Sequence, residues 1–153
     1  LYVSALDGTV YAHEPVMAFA LACFSARFYR SPVHSVAGNV VYVGTQDGSV
    51  DALRASDGFL LWRYRDRNGN ATSTTVADGV AYIISQVNDT ASIAALSANA
   101  GTLLWHYTSP VPIPSTQLSP IATNGLVLIA LQDGSVDAFH ARNGVLLWRI
   151  ATQ

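Results

Sequence analysis

Charged residues are scarce in this sequence. Asp, Glu, Lys and Arg make up 12% of its 153 residues, whereas ordinary globular chains contain about 25%. Eight basic residues stand against ten acidic ones, and the basic residues are scattered rather than grouped in a run. Nucleic-acid binding needs a basic patch that neutralises phosphates. The sequence therefore predicts no nucleic-acid partner. The low charged fraction also indicates that much of the surface is buried in contacts.

Cysteine pairs and metal-ligand spacings are also lacking. Cys23 is the only cysteine, which excludes an internal disulfide and a four-cysteine zinc site. The histidines are His13, His34, His106 and His140, and they have neither H-x-x-x-H nor H-E-x-x-H spacing, the patterns typical of zinc ligands. We expect ordinary strand or loop histidines and no metal site.

No apolar run is long enough to cross a membrane as a helix. The longest nearly uncharged stretch, Val16 to Ala26, is shorter than the roughly 20 residues that such a helix needs, and it is predicted to be a buried strand. Leu1 lies in an apparent strand with no initiator methionine or signal peptide before it. We therefore expect the chain to be a segment of a longer parent protein.

What the sequence does have is a repeat. Three segments, Ala52 to Trp62, Ala95 to Trp105 and Ala138 to Trp148, each follow the pattern A-x-x-A-x-x-G-x-L-L-W, with their tryptophans 43 residues apart. A fixed period near 40 residues is typical of architectures in which similar modules stack side by side. The repeat therefore predicts a modular fold.

A fourth, degenerate unit precedes these three. Leu1 to Tyr11 fits the same frame as Val41 to Asp51 and Val127 to Asp137, which match each other closely. The later half of the first unit has Ala18 where the other units have Gly and Ala22 where they have Trp. We expect an incomplete first module without its own opening strand.

Each unit is predicted to form four short antiparallel strands. Tight turns are expected at Gly38-Asn39, Asp78-Gly79 and Asn124-Gly125, and Asp-Gly hairpins at Asp47-Gly48 and Asp133-Gly134. A helical period of 3.6 residues is not found. Extra residues in the third unit (Gln86 to Thr90) and before the fourth (Pro110 to Pro114) are assigned to loops.

Strand units of this period with one tryptophan each indicate an all-β propeller. We predict a single repeat domain over 1–153, with four-stranded antiparallel blades at about 1–30, 31–66, 71–108 and 116–153. The four blades would make half of an eight-bladed propeller.

The repeated segments resemble the repeat of the quinoprotein alcohol dehydrogenases, A-x-D-x-x-T-G-x-x-x-W, which forms seven- or eight-bladed propellers. The resemblance implies that Trp62, Trp105 and Trp148 lie between adjacent blades. Small residues would leave room for the indoles, namely Ala52, Ala95, Ala138, Gly58, Gly101 and Gly144. The chain departs from the family pattern where Arg54, Ser97 and His140 replace its Asp, and only Glu14 keeps an acid there.

The resemblance also raises the question of catalysis. Catalytic members bind pyrroloquinoline quinone beside a calcium ion held by oxygen ligands, with an aspartate base and, in many members, a ring formed by adjacent cysteines. This chain has one cysteine and no clustered acids. We therefore expect no catalytic, cofactor-binding or metal-binding residues, no cofactor, and no enzymatic activity.

The remaining polar candidates have ordinary interpretations. Asp47 and Asp133 are explained by turn chemistry. Asp51 and Asp137 recur within strands, where they could line a polar surface, and we expect them to face solvent. Two glycosylation patterns, beginning at Asn70 and at Asn88, occur readily by chance in Asn- and Thr-rich loops.

Two classes of function remain. The preferred hypothesis is a non-catalytic propeller scaffold for protein interaction or self-assembly, and the alternative is a fragment of a pyrroloquinoline quinone-dependent dehydrogenase. Four blades of an open ring expose two apolar end faces, so we expect a homodimer that closes the ring or another protein as partner. A closed four-bladed monomer stays as the structural alternative. The resemblance favours a location outside the cytoplasm, periplasmic or extracellular.

Overall fold

The chain is an all-β protein. A computed structural model describes residues 2–4, 9–13, 18–23, 33–44, 48–66, 70–87, 90–111 and 119–151. Within these ranges fifteen strands form four separate antiparallel sheets, and none of these residues is helical, so no membrane-spanning helix occurs among them. The predicted all-β class with four-stranded antiparallel sheets is confirmed.

Each sheet is a meander in which strands that follow one another in sequence are hydrogen-bonded neighbours. The first sheet consists of β1 (Tyr2–Ser4), β2 (Thr9–His13) and β3 (Ala18–Cys23). The second consists of β4 (Val33–Ala37), β5 (Val40–Gly44), β6 (Ser49–Arg54) and β7 (Leu60–Arg65). The third consists of β8 (Asn70–Ala77), β9 (Val80–Val87), β10 (Thr90–Ser97) and β11 (Leu103–Ser109). The fourth consists of β12 (Ile121–Thr123), β13 (Leu126–Ala130), β14 (Ser135–His140) and β15 (Leu146–Ala151).

The tight turns use residues that tolerate a left-handed backbone. Asp78 and Asn124 have φ angles of 49° and 50°, a conformation that Asp and Asn adopt more readily than most residues. At the β13–β14 hairpin, the Asp133 carboxylate accepts hydrogen bonds from the Ser135 backbone N–H at 2.9 Å and from the Ser135 hydroxyl at 2.6 Å. These bonds hold the pKa of Asp133 below its usual range, and the bond from the hydroxyl contributes most. Asp47 lies outside the described residues.

A β-bulge precedes each tryptophan on the last strand of its sheet. Ala52 pairs with Trp62 while Leu53 pairs with Leu60, so Leu61 has no partner in the ladder. The same irregularity recurs in the third and fourth sheets. Because paired residues of antiparallel strands share a face, the bulge brings the indole onto the same side of the sheet as the alanine.

The extra residues of the third unit extend its strands instead of forming a loop. Strands β9 and β10 have 8 residues each, and their ladder continues as far as the pair Thr90 and Val87. The expectation of a loop over Gln86 to Thr90 is therefore wrong. Added residues on both arms of a hairpin can continue the ladder and satisfy their own backbone groups. Pro112 to Pro114 lie outside the described residues.

The first sheet differs from the others in register as well as in strand number. The sequence frame pairs Ala12 with Ala22, as Ala52 pairs with Trp62. In the structure, Ala12 pairs with Phe19, and Ala22 pairs with Val10. The gapless equivalence of Ala22 with the tryptophans is therefore wrong as a structural alignment, because β3 is shifted by two residues against β2.

The core lies between the sheets. One cluster joins Tyr42, Val50 and Ala52 of the second sheet to residues of the third that include Ile83 and Leu96. A larger cluster joins the third sheet to the fourth. The second, third and fourth sheets thus bury apolar side chains at the two junctions between them, and removing this surface from water stabilises the core.

Candidate functional site

Every complete sheet has one face that carries its tryptophan, which we call the indole face, and an opposite face, which we call the acceptor face. Strand pairing defines the indole faces by the sets Tyr42, Ala52 and Trp62; Tyr82, Ala95 and Trp105; and Leu128, Ala138 and Trp148. The acceptor faces contain Val41 and Leu53; Ala81 and Leu96; and Val127 and Phe139.

Trp62 joins the second sheet to the third. Its indole Nε1 donates a hydrogen bond to the backbone oxygen of Ala98 at 2.8 Å, and the Tyr42 hydroxyl donates to the same oxygen at 3.4 Å. The ring lies against Gly101, where an added Cβ would be 2.6 Å from the indole Cδ2. Only glycine allows this approach, because real Cβ atoms do not come so close.

Trp105 joins the third sheet to the fourth in the same way. Its Nε1 donates to the oxygen of Ala141 at 2.8 Å, and a Cβ at Gly144 would be 2.6 Å from its Cδ2. The ring of Phe139 is stacked at 6.3 Å between centroids. Trp105 is 8% exposed. We call the segments Ala98–Gly101 and Ala141–Gly144 acceptor turns, since they supply both the hydrogen-bond acceptor and the glycine.

Trp148 occupies the same position on the fourth sheet but is 39% exposed. Ile150, on the same face, is 56% exposed. A groove of about 330 Å³ adjoins this face, and it is lined by Ile84, Ser119, Pro120, Ile121, Leu128, Ile129, Ala130 and Val136. An apolar face whose counterparts in the second and third sheets pack against another sheet is the candidate interaction surface of this chain.

The strand aspartates do not face solvent, which corrects the sequence-based expectation. Asp51 is 0% and Asp137 1% exposed. Arg63 binds both carboxylate oxygens of Asp51 at 2.5 and 2.6 Å, and Arg149 binds those of Asp137 at 2.6 Å. The hydrogen bonds to Asp137 raise the pKa of Arg149 above its ordinary value. Burial of the carboxylates is tolerated because each is paired through a two-pronged, charge-assisted contact.

Sequence reasoning overlooked these ion pairs, although a signal for them exists. Asp and Arg are 12 residues apart in both the second and fourth units, and the two are replaced together in the third unit, by Ala94 and His106. Those replacements are also paired across β10 and β11. Joint loss of both charges is the pattern expected of a direct contact, because either charge alone would be left without its partner.

Polar contacts also cross the sheet junctions. The Ser92 hydroxyl of the third sheet donates to Asp66, just after β7, at 3.0 Å. Burial, with a smaller contribution from the Asp66 charge, raises the pKa of nearby Tyr64. Between the third and fourth units, the Ser73 and Ser119 hydroxyls are hydrogen-bonded at 2.9 Å. These contacts fix how neighbouring sheets sit on one another.

The histidines are distributed over separate sheets. His13 and His34 belong to β2 and β4, and His106 and His140 are exposed at β11 and β14. In the part of the chain that the structure describes, no three potential ligands cluster in a metal-binding arrangement. Of the two glycosylation patterns, Asn70 begins β8, and Asn88 lies outside the described residues.

The described carboxylates do not fit a calcium-supported quinone site. Asp51 and Asp137 are bound by arginines in different sheets, Asp66 accepts from Ser92, and Asp57 binds Arg54 at 2.8 Å. A calcium ion takes 6–8 oxygen ligands from several converging groups. These four carboxylates belong to no group of three or more ligands among the described residues, and each is already bound to a side chain of its own or of the neighbouring sheet.

Solved structures share this fold at low sequence identity. BamB from Moraxella catarrhalis is 19% identical with a TM-score of 0.76, over 97% of this chain and 44% of that chain. A quinohemoprotein alcohol dehydrogenase, ADHIIG from Pseudomonas putida HK5, is 18% identical with a TM-score of 0.75, over 99% and 32%. The computationally designed Ika4 protein is 16% identical with a TM-score of 0.66, over 90% and 82%.

This chain thus spans less than half of the natural propellers it resembles, and it is close in length to the designed one. No curated protein matches it. The predicted membership of the pyrroloquinoline quinone-repeat propellers is confirmed, and the sheets are a fragment of a propeller. A family model described as outer membrane protein assembly factor BamB matches residues 4–153, and the chain belongs to that family.

Proposed function

We propose that this chain is a non-catalytic propeller scaffold that binds proteins, copies of itself included, through the indole face of its fourth sheet. One observation carries the proposal: Trp148 is 39% exposed, whereas Trp105, its counterpart one sheet earlier, is 8% exposed. The tryptophan of the third sheet is buried at a junction between sheets, whereas the equivalent tryptophan of the fourth sheet is exposed. Apolar surface of this kind is stabilised when a partner removes it from water.

The comparisons support this direction. The description of the family as an outer membrane protein assembly factor favours a role in protein assembly and a location outside the cytoplasm. The division into blades at about 1–30, 31–66, 71–108 and 116–153 belongs to the same proposal. A designed protein of similar length with the same fold supports the idea that a few blades form a discrete chain, which would close a ring by pairing with a second copy.

Sedimentation velocity on two matched variants tests the proposal. Ile150→Glu introduces a charge on the indole face of the fourth sheet, and Leu104→Glu introduces one on the outer strand of the third sheet. The two native side chains are 56% and 50% exposed. We expect the unmodified chain and L104E to sediment as species heavier than 16.3 kDa and I150E to dissociate at least tenfold more readily. Equal behaviour of the two variants would refute a role for this face.

The alternative function is that of a fragment of a quinone-dependent dehydrogenase. It is supported by an alcohol dehydrogenase of the same fold, whose structure matches 99% of this chain. Titration with pyrroloquinoline quinone and calcium, followed by tryptophan fluorescence, separates the two functions. The scaffold proposal predicts no saturable quenching. Saturable quenching that needs calcium would favour the dehydrogenase fragment.

A further inference from the structure

The part of the chain that the structure describes contains three acceptor turns, and the chain's own tryptophans occupy two of them. Trp62 lies against Gly101, and Trp105 lies against Gly144. The third tryptophan, Trp148, is exposed on the fourth sheet. The third turn, Ala55–Gly58 at the end of β6, therefore receives no indole from this chain.

The Ala55–Gly58 turn has the backbone geometry of the two turns that hold an indole. The N–H of Gly58 donates to the oxygen of Arg54 at 2.8 Å, and the N–H of Ala55 donates to Asn39 at 2.9 Å. The corresponding bonds of Gly101 and Ala98 are 2.8 and 2.9 Å. The φ of Gly58 is 72°, and those of Gly101 and Gly144 are 67° and 70°. The turn is thus preformed for an indole.

The first unit is poorly suited to either half of such a contact. In the sequence frame it has Ala22 at the tryptophan position and Ala18 at the glycine position. In the structure, Ala18 is paired with His13 within the β2–β3 ladder, so it does not stand in a turn as Gly101 and Gly144 do. The register shift between β2 and β3 separates the first sheet further from the repeating pattern.

We propose that Trp148 of one copy docks on the Ala55–Gly58 turn of a second copy. This inference rests on the proposed function, and it names both the partner and the contact. The indole Nε1 would donate to the oxygen of Ala55, and the ring would lie over Gly58, continuing the interface that recurs twice within the chain. Val41 and Leu53 on this acceptor face are already buried within the chain. A second copy that docks here would therefore replace the contacts that now bury these side chains.

The contact is heterologous, because the donor and the acceptor lie on different sheets. Each copy therefore offers one exposed indole and one acceptor turn that none of its own indoles occupies. Two or more copies can close a ring by this rule, whereas a junction that fails to close would leave an open chain of copies.

The experiment compares Trp148→Ala, which removes the donor, with Gly58→Ala, which blocks the acceptor. The control is Gly38→Ala, in the same sheet, where φ is also positive at 58° but an added Cβ meets nothing within 4 Å. We expect W148A and G58A each to raise the dissociation constant at least tenfold, and the double variant to raise it no further. G38A should change it by less than twofold.

Mixing the two variants excludes misfolding as the cause. A G58A chain still offers Trp148, and a W148A chain still offers the Ala55–Gly58 turn. An equimolar mixture should therefore form a heterodimer with one intact junction, although each variant by itself associates at least tenfold more weakly than the unmodified chain. Two chains that had merely failed to fold would not complement each other.

The outcomes distinguish this proposal from the one on which it rests. If W148A dissociates while G58A associates as tightly as G38A, the indole docks elsewhere and the Gly58 contact is refuted, although the fourth-sheet face stands. If the unmodified chain is monomeric at every concentration, both self-association and this contact are refuted.

Discussion

The Nε1 of Trp105 donates to the backbone oxygen of Ala141, 36 residues further along the chain, and Trp62 makes the same bond to Ala98 at the same separation. Each bond joins the last strand of one sheet to the turn that precedes the last strand of the next. The repeat period thus has a direct physical meaning. Each tryptophan binds the turn 36 residues further on, and because tryptophans and turns both recur every 43 residues, the same contact recurs from sheet to sheet.

The close approach of Gly101 to Trp62 predicts a position-specific cost for a single methyl group. Gly101→Ala should destabilise the fold by about 1–3 kcal/mol through overpacking, in addition to the strain of a positive φ. Gly79→Ala is the control, since its φ is 75° and an added Cβ meets nothing within 4 Å. Urea denaturation should give a clearly lower midpoint for G101A than for G79A. Equal midpoints would mean that the indole does not constrain Gly101.

The different burial of equivalent tryptophans predicts different costs of truncation. Trp105→Ala should destabilise the monomer by about 3–5 kcal/mol, because the ring packs among Tyr82, Phe139 and Gly144. Trp148→Ala should cost no more than about 2 kcal/mol, since much of its surface is already in water. Thermal unfolding at a dilution where the chain is monomeric measures both. A larger loss for W148A would contradict the assignment of the exposed face.

Loss of the buried ion pair in the second sheet should be rescued by the residue pair that the third sheet has at the same positions. Arg63→Leu leaves the buried Asp51 carboxylate without its partner, and we expect a loss of about 1–3 kcal/mol. The double variant Asp51→Ala, Arg63→His copies the Ala94–His106 pair and should recover most of that loss. Chemical denaturation of the three chains measures the recovery. A double variant less stable than R63L would show that the pair is not the source of the cost.

The Asp133 turn predicts a small acid-dependent contribution to stability. Its pKa is lowered in the folded chain, first by the Ser135 hydroxyl, so folding is favoured when the carboxylate is charged. The contribution is present above the unfolded pKa of about 3.9 and is lost as the pH falls through the lower folded value.

Ser135→Ala should therefore lower the melting temperature at pH 6 and have less effect near pH 2. Asp133→Asn keeps an acceptor oxygen in the turn without the charge and serves as the control. A Ser135→Ala effect that did not change with pH would contradict this assignment.

Much of the fold follows from the sequence because it depends on local and periodic features. The tryptophan period, the Asp78-Gly79 turn and the Leu-Leu-Trp strands predict stacked antiparallel sheets. The burial of Asp51 does not follow from its own strand, since alternation assigns it a side without indicating whether another sheet covers that side. Its arginine partner is found only by comparing units. Likewise, sequence spacing cannot separate a longer loop from the longer strands β9 and β10, because both add the same residues.

The candidate surface is predictable only in outline. The apolar ends of an open stack follow from the repeat, and the chain's low charge agrees with them. The particular pairing of indoles with acceptor turns requires the structure, because it depends on where each Cβ would lie relative to a ring. Only then do Trp148 and the Ala55–Gly58 turn stand out as complementary.

The most direct test is an NMR hydrogen-exchange measurement on the three indole N–H groups of 15N-labelled protein over a range of protein concentrations. The account predicts that the Trp62 and Trp105 signals are protected at every concentration, since both donate to carbonyl oxygens within the chain. The Trp148 signal should exchange rapidly in dilute solution and become protected as copies associate. Rapid exchange of Trp62 and Trp105, or a Trp148 signal indifferent to concentration in an associated sample, would contradict it.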